Sequence, residues 1–287
     1  PLPNISGYTG QYKNVGAINN KGLEISLNAD VIRTSKFQWT SDFNIGFNRN
    51  RVTELYGGKP ELKGLKRLEE GRDMDEWYLR EWAGVDPANG SPLWYTTDEN
   101  GKRTTTDSYN KADRVYCGSA APKFTGGWMN SFSYKGFTLT ANFDFVYGNL
   151  LYNQSRELLD SDGAYADYNS MKLKSGWKRW EKEGDIATHP KAINGGNKNS
   201  NKSSSRYLEK GNYFSLRNLS LGYSIPEKLC GKLGLQRVNV SCSADILFTL
   251  TPFSGVSPQL SDSSTDGYAG TIYPLSRRIV FGLNVSF

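Results

Sequence analysis

Apolar and polar residues alternate along this chain in segments about as long as a tilted membrane-spanning strand, roughly 9–11 residues. In GLEISLNADV, Leu23, Ile25, Leu27, Ala29 and Val31 fall on one face, and Glu24, Ser26, Asn28 and Asp30 on the other. FQWTSDFNIGFN separates Phe37, Trp39, Phe43, Ile45 and Phe47 from Gln38, Thr40, Asp42, Asn44 and Asn48. FTLTANFDFVY sets Phe137, Leu139, Ala141, Phe143, Phe145 and Tyr147 against Thr138, Thr140, Asn142 and Asp144. VNVSCSADILF sets Val238, Val240, Cys242, Ala244, Ile246 and Phe248 against Asn239, Ser241, Ser243 and Asp245. KFTGGWMNSFSY is a weaker case, with Phe124, Trp128, Phe132 and Tyr134 in register. RIVFGLNVSF alternates to the last residue through Ile279, Phe281, Leu283, Val285 and Phe287. Successive side chains point to opposite faces of a strand, so each segment predicts a strand with one apolar and one polar face.

The connections are of two kinds. RTSK (33–36) and YKG (134–136) are minimal, whereas 49–76, 97–122, 150–211 and 252–276 are long and polar. Short turns at one end and long loops at the other are the layout of bacterial outer-membrane barrels. A globular sandwich rarely carries repeated loops longer than about 15 residues without structure of their own. Strand direction can be followed backward from Phe287, with EWYLREWAGV (76–85) and SPLWYTT (91–97) as a further down-and-up pair. That makes about nine strands, an odd number and too few to close a wide barrel, so the chain is expected to be part of a larger one. Residues 169–183 predict a short helix, SIPEKLCGKLG (224–234) a turn with one helical turn, and NGGNKNSNKSSS (194–205) a flexible loop tip.

Composition changes this picture little. The 287 residues are 37% hydrophobic and 13% aromatic. No segment approaches the roughly 20 apolar residues of a transmembrane helix, and a mean hydropathy of −0.60 suits a barrel, whose alternation hides its apolar face from any average. The net charge of +6 includes no long basic run, which disfavours nucleic acid as a partner. The N-terminal PLPNISGYTG lacks the regions of a signal peptide.

Candidate chemistry is sparse. Cys117, Cys230 and Cys242 have no CxxC spacing, and the single histidine, His189, has no second histidine to share a metal. The thiols are read as unpaired and His189 as a loop residue. The carboxylate pairs Asp160/Asp162, Glu181/Glu183 and Asp262/Asp266 sit in polar loops and are read as solvated charges rather than as a glycosidase pair. Glu24, Asp42, Asp144 and Asp245 occupy the polar faces of strands and are expected to face a wet lumen. Tyr165, Tyr168, Trp177 and Trp180 lie in the longest loop, where aromatic faces suit contact with cargo or with a partner. No GxGxxG, Walker, HExxH or GxSxG string occurs, so neither a cofactor nor an enzyme activity is predicted.

Six strings, in order, resemble the C-terminal half of the SusC/RagA family of TonB-linked transporters. They are NVGAINNKGLEISL (14–27), EWAGVDPANGSPLWY (81–95), SAAPKFTGGWMNSFSYKGFTLTANFDFVYGNLLYN (119–153), SSRYLEKGNYFSLRNLSLGYSIP (204–226), LFTLTPFSGVSPQLS (247–261) and YPLSRRIVFGLNVSF (273–287). Asp245 and Ile246 stand where the family usually has an asparagine, and SPQ (257–259) where it has aspartate-proline-glutamate.

The resemblance implies the last strands of a plugged, 22-stranded barrel in the outer membrane of a diderm bacterium, with signal peptide, plug and earlier strands upstream. It also implies TonB coupling, a SusD-like surface lipoprotein as lid, contact with membrane lipid and lipopolysaccharide, and a cargo of oligosaccharides or peptides. Ile279, Phe281, Leu283, Val285 and Phe287 resemble the terminal signal read by barrel-assembly machinery. The competing expectation is a secreted or surface β-sandwich, an adhesin or carbohydrate-binding protein. It differs in one testable respect, because a sandwich buries Phe137, Phe143 and Phe281 whereas a barrel turns them outward.

Overall fold

A computed structural model of the chain describes Gly7 and residues 16–232, 234–259, 267–270 and 273–287. Among them, seventeen strands, β1 to β17 in chain order, carry the fold. The seven long ones are β1 (Ala17–Arg33), β2 (Phe37–Glu54), β10 (Phe124–Tyr134), β11 (Phe137–Tyr147), β14 (Tyr213–Ser224), β15 (Arg237–Leu250) and β17 (Arg278–Ser286). They form one sheet in that order, every neighbouring pair antiparallel.

Register turns the sequence alternation into two continuous faces. Leu27, Phe43, Trp128, Phe143, Leu216 and Phe248 are successive cross-strand neighbours, and so are Asp30, Thr40, Ser131, Thr140, Ser220 and Ser243. The first row is apolar on all six strands and the second is polar on all six. No second layer covers the apolar face among the described residues: Phe137 is 48% and Phe281 80% exposed, while Phe143 is half-buried by stacking on Phe214 and Trp128. Burial in a sandwich core is therefore not what these residues do.

The sheet has the height a membrane requires. β10 runs 11 residues from Phe124 to Tyr134, about 34 Å along the strand, and a tilt of about 40° reduces this to the roughly 25 Å apolar band of outer-membrane barrels. Aromatic clusters mark both ends: Phe124 packs on Phe47 and Tyr147 at one, and Phe137 on Tyr223 at the other. The 135–136 turn is tight because Lys135 and Gly136 both take positive φ, the primed geometry that matches strand twist. A Cβ on Gly136 would lie 2.8 Å from the Ser224 carbonyl oxygen, so only glycine fits.

Short connections (34–36, 135–136, 225–236) share one end of the sheet and long ones (55–123, 148–212, 251–277) the other. The short helix α2 (Glu227–Lys232) occupies the 224–234 turn as expected. No helix forms over 169–183; instead α1 (Ser155–Leu159) opens that loop. The strands expected at 76–85 and 91–97 exist but lie outside the long sheet, because β2 pairs directly with β10. β3 (Glu61–Lys63), β4 (Lys66–Leu68), β5 (Glu76–Arg80) and β9 (Arg114–Ser119) form one small sheet, and β6 (Trp82–Val85), β7 (Pro92–Thr97) and β8 (Arg103–Thr106) another. A third joins β12 (Leu150–Asn153) to β13 (Leu208–Lys210) and β16 (Tyr268–Ala269). The long sheet thus holds seven strands rather than about nine. The difference arises because segments of only four to six residues cannot span an apolar band that needs about nine.

Candidate functional site: a polar wall capped by an interlocked loop layer

Two elements have functional geometry: the polar face of the long sheet and the layer of long loops at its end. On the polar face, carboxylates are paired across strands. Asp42 accepts from Asn28, Asp144 from the Tyr213 hydroxyl at 3.2 Å, and Asp245 from Asn218 at 2.7 Å and Arg278 at 2.7 Å. Glu24 lies opposite Gly46 on the same face. The four acids lie on one face of the sheet, spread along the wall rather than gathered into a pair. Such a surface can carry water and hydrogen-bond a passing polar solute. Among the described residues no cluster has the composition of a metal site.

The loop layer has a core of its own. Trp77, Leu79 and Ala120 from 55–123 pack with Tyr152 and Tyr207 from 148–212, and Tyr268 from 251–277 joins them. Trp77 Nε1 donates to the Leu150 carbonyl at 3.0 Å, Trp82 N to Ser205 Oγ at 2.9 Å, and Trp180 Nε1 to the Pro87 carbonyl at 3.0 Å. Each bond joins 55–123 to 148–212, and Tyr152 N donates to the Gly267 carbonyl of 251–277 at 2.8 Å, so the three loops form one body.

At its centre lies a buried ion cluster. Asp160 and Asp162 are 1% and 2% exposed, a departure from their expected role as solvated charges. Arg206 bonds both, Arg156 bonds Asp160 at 2.8 Å and Glu209 at 2.9 Å, and Arg179 bonds Asp162 at 2.7 Å. His189 is buried too, with Nε2 3.1 Å from Asp160 and Nδ1 2.8 Å from the Thr188 hydroxyl. Burial acts to raise the pKa of Asp160, but the hydrogen bond from His189 and the charge of Arg206 overcome it and hold the carboxyl at about 2. The 194–205 stretch, expected as a flexible tip, is pulled into this cluster. Ser200 Oγ donates to Asp162 and its carbonyl accepts from Arg206, while Asn197 Nδ2 donates to Gly90 and Lys191 carbonyls.

Tyr165 and Tyr168 are exposed and pack on each other, and Trp177 is half-buried beside His189 and Arg156. Trp180 is buried against Gly90, so a contact surface can use the first three but not the fourth. Glu181 and Glu183 are exposed, and Asp262 and Asp266 lie outside the described residues. Cys117, Cys230 and Cys242 are unpaired thiols, and burial pushes that of Cys117 up to about 11, which makes it unreactive. Of the terminal alternation, Ile279, Phe281, Leu283, Val285 and Phe287 are all exposed. Sequence reasoning missed Arg156, Arg179 and Arg206. One signal was available: Arg156 and Asp160 stand at i,i+4 in RELLD, an ion-pair spacing on one helical turn.

Comparison with known proteins agrees with this architecture. No family model matches the chain. A curated relative, TonB-dependent receptor P3 of Formosa agariphila, is 29% identical over 100% of this chain and 30% of its own length. TonB-dependent receptor SusC of Bacteroides thetaiotaomicron is 22% identical over 96% of this chain and 27% of its own. Among solved structures, the RagAB peptide transporter superposes with a TM-score of 0.83 at 27% identity, covering 100% of this chain and 31% of that one. An open-open state of the RagAB peptide importer gives the same TM-score. The chain spans about a third of the length of the relatives it matches. No helix among the described residues is long and apolar enough to cross a membrane, which says nothing against strands. The six strings and the superposition both extend over nearly the whole chain, so in sequence and fold it is similar to about a third of a TonB-dependent receptor, SusC and the RagAB transporter among them.

Proposed function

We propose that this chain supplies the C-terminal wall of an outer-membrane nutrient importer, through which a TonB-coupled cycle moves oligosaccharides or peptides under a SusD-like lid. The carrying observation is the single sheet with one uncovered apolar face and one continuous polar face. Lipid solvates the first and the transported solute passes along the second. In hydrocarbon an unpaired strand edge costs several kcal/mol per group, so β1 and β17 pair with strands from the rest of the barrel, a 22-stranded one in this reading.

Energy coupling follows from location. The outer membrane has no ATP supply, and the chain has no nucleotide motif, so uptake draws on TonB through the plug. The test is uptake of defined glycans and peptides by cells carrying the intact protein, with and without TonB. Concentrative uptake of one cargo class, abolished on TonB removal, is expected. Uptake unchanged without TonB would overturn the coupling and leave a passive pore.

A further inference from the structure

The sheet does not end where its apolar face does. β1 and β2 continue past the aromatic pair Phe47 and Phe124, and on the outward side the next positions are cationic. Lys21 lies directly opposite Arg49, and Arg51 follows two residues on, opposite Asn19. By strand alternation Lys21 shares the face of Leu23, and Arg49 and Arg51 that of Phe47, with no register shift between.

Directly opposed residues in a sheet have Cβ atoms about 5 Å apart, and like charges there repel. Three exposed cations therefore stand together with nothing to neutralise them: among the described residues none has an ion pair. The nearby Arg72 shows what a satisfied cation looks like here, held by Glu76 at 2.7 Å and lying 3.5 Å over the Tyr116 ring. The adjacent acids are taken as well, Glu76 by Arg72 and Asp73 by Ser119 at 2.8 Å. The cations border an open cleft of about 1240 Å³ between the top of β2 and the loops above β10. Its floor is the aromatic end of the apolar band.

We propose that Lys21, Arg49 and Arg51 form a binding site for the phosphorylated headgroup of an outer-leaflet glycolipid, with Phe47 and Phe124 packing on the start of its acyl chains. Guanidinium groups bind phosphate oxygens through paired, charge-assisted hydrogen bonds, and an ammonium adds a further point charge. A phosphate between Lys21 and Arg49 converts their repulsion into two attractions. Free phosphate offers the same oxygens but no acyl chains for the aromatic floor, which favours the lipid. This inference rests on the membrane reading above and adds to it a specific lipid contact.

The experiment uses the intact transporter purified in detergent and returned to nanodiscs containing either bis-phosphorylated lipid A or its dephosphorylated form. The protein-bound lipid is counted by native mass spectrometry, with inorganic phosphate as soluble competitor. Retention of phosphorylated over dephosphorylated lipid by about tenfold is expected. It should be lost in Lys21→Gln/Arg49→Gln, largely kept in Arg49→Lys, and unchanged in Lys36→Gln at the opposite rim. Heat-modifiable migration on gels checks that each variant is a folded barrel. Equal retention of both lipids, or of phosphorylated lipid by the double variant, would overturn the site. Displacement of the lipid by inorganic phosphate at equal concentration would overturn the lipid assignment in favour of a soluble-anion site. A protein that fails to enter nanodiscs at all would instead refute the membrane reading, so the two failures are distinguishable.

Discussion

The long sheet and the loop layer obey opposite rules in one chain. The sheet has almost no buried core, and its order comes from backbone ladders between strands with one apolar and one polar face. The loop layer buries tryptophan, tyrosine and a cluster of charged side chains, as a small globular domain does. In the proposed setting the sheet therefore depends on the membrane for its stability, while the loops depend on each other. A sheet with one face uncovered cannot use burial to hold its shape, and an interlocked loop layer can.

The largest effect should come from breaking the loop cluster. Replacing Arg206 by alanine removes the most deeply buried cation of the cluster and leaves Asp160 to Arg156 and His189, and Asp162 to Arg179; removing one partner of a buried ion pair costs up to about 3–5 kcal/mol. Limited proteolysis should then cut 148–212 rapidly while heat-modifiable migration still reports an intact sheet. If both were lost together, the two regions would be one cooperative unit and the contrast would fail.

The sheet should break differently. Phe143→Arg puts charge on the outer face near mid-height, at a cost of about 2–4 kcal/mol, and should lower the amount of assembled barrel in outer membranes. Asp144→Asn, one residue along and on the other face, should not. Equal losses would refute the assignment of faces.

Acid should separate the regions without mutation. The Asp160 carboxyl is held at about 2 against an ordinary value of 3.8. A depressed pKa stabilises the folded state above the unfolded value, and that contribution, about 2 kcal/mol, is lost as pH falls from about 4 towards 2. Protease protection of the loops should fall across that window, with barrel migration unchanged. Protection constant down to pH 2 would show that the cluster does not titrate as a stabilising unit.

The two regions were also unequally legible in the sequence. Alternation at Leu23 to Val31 or Phe137 to Tyr147 fixes which side chains share a face, because a strand has a period of two whatever surrounds it. The loop core has no period. Asp160, Asp162 and His189 are polar residues in polar sequence, and their burial depends on Arg206 and Ser200, which lie 38 to 46 residues from the two aspartates. For the same reason 76–85 and 91–97 read as a down-and-up pair of the wall, yet they belong to the loop layer. Local pattern gave their type, and only the direct pairing of β2 with β10 excludes them from the wall. β15 marks a limit of periodicity itself: Ile246 continues the alternation, yet it sits at a register irregularity with φ of 53°. A β-branched residue there costs on the order of 1–2 kcal/mol. Ile246→Asn should therefore stabilise refolded barrel by about 1 kcal/mol in urea titrations, and a loss of stability would mean that side-chain packing outweighs backbone strain.

The smallest effect on folded stability should come from Phe287, where the contrast between sheet and loops gives way to one between folding and assembly. Phe287 is 88% exposed and lies just past the last strand, which ends at Ser286. A residue at the edge of the apolar band adds little on the depth scale of barrels, so deleting it should leave refolding into lipid vesicles nearly unchanged. Its position after Ile279, Phe281, Leu283 and Val285 on one face nevertheless resembles a signal read by assembly machinery in the cell. That reading predicts a sharp fall in outer-membrane levels on deletion of Phe287, measured by fractionation, with normal refolding of the same protein in vitro. Losses of similar size in both assays would make Phe287 an ordinary packing residue. Wild-type levels in cells would remove the signal role and leave only the closing strand.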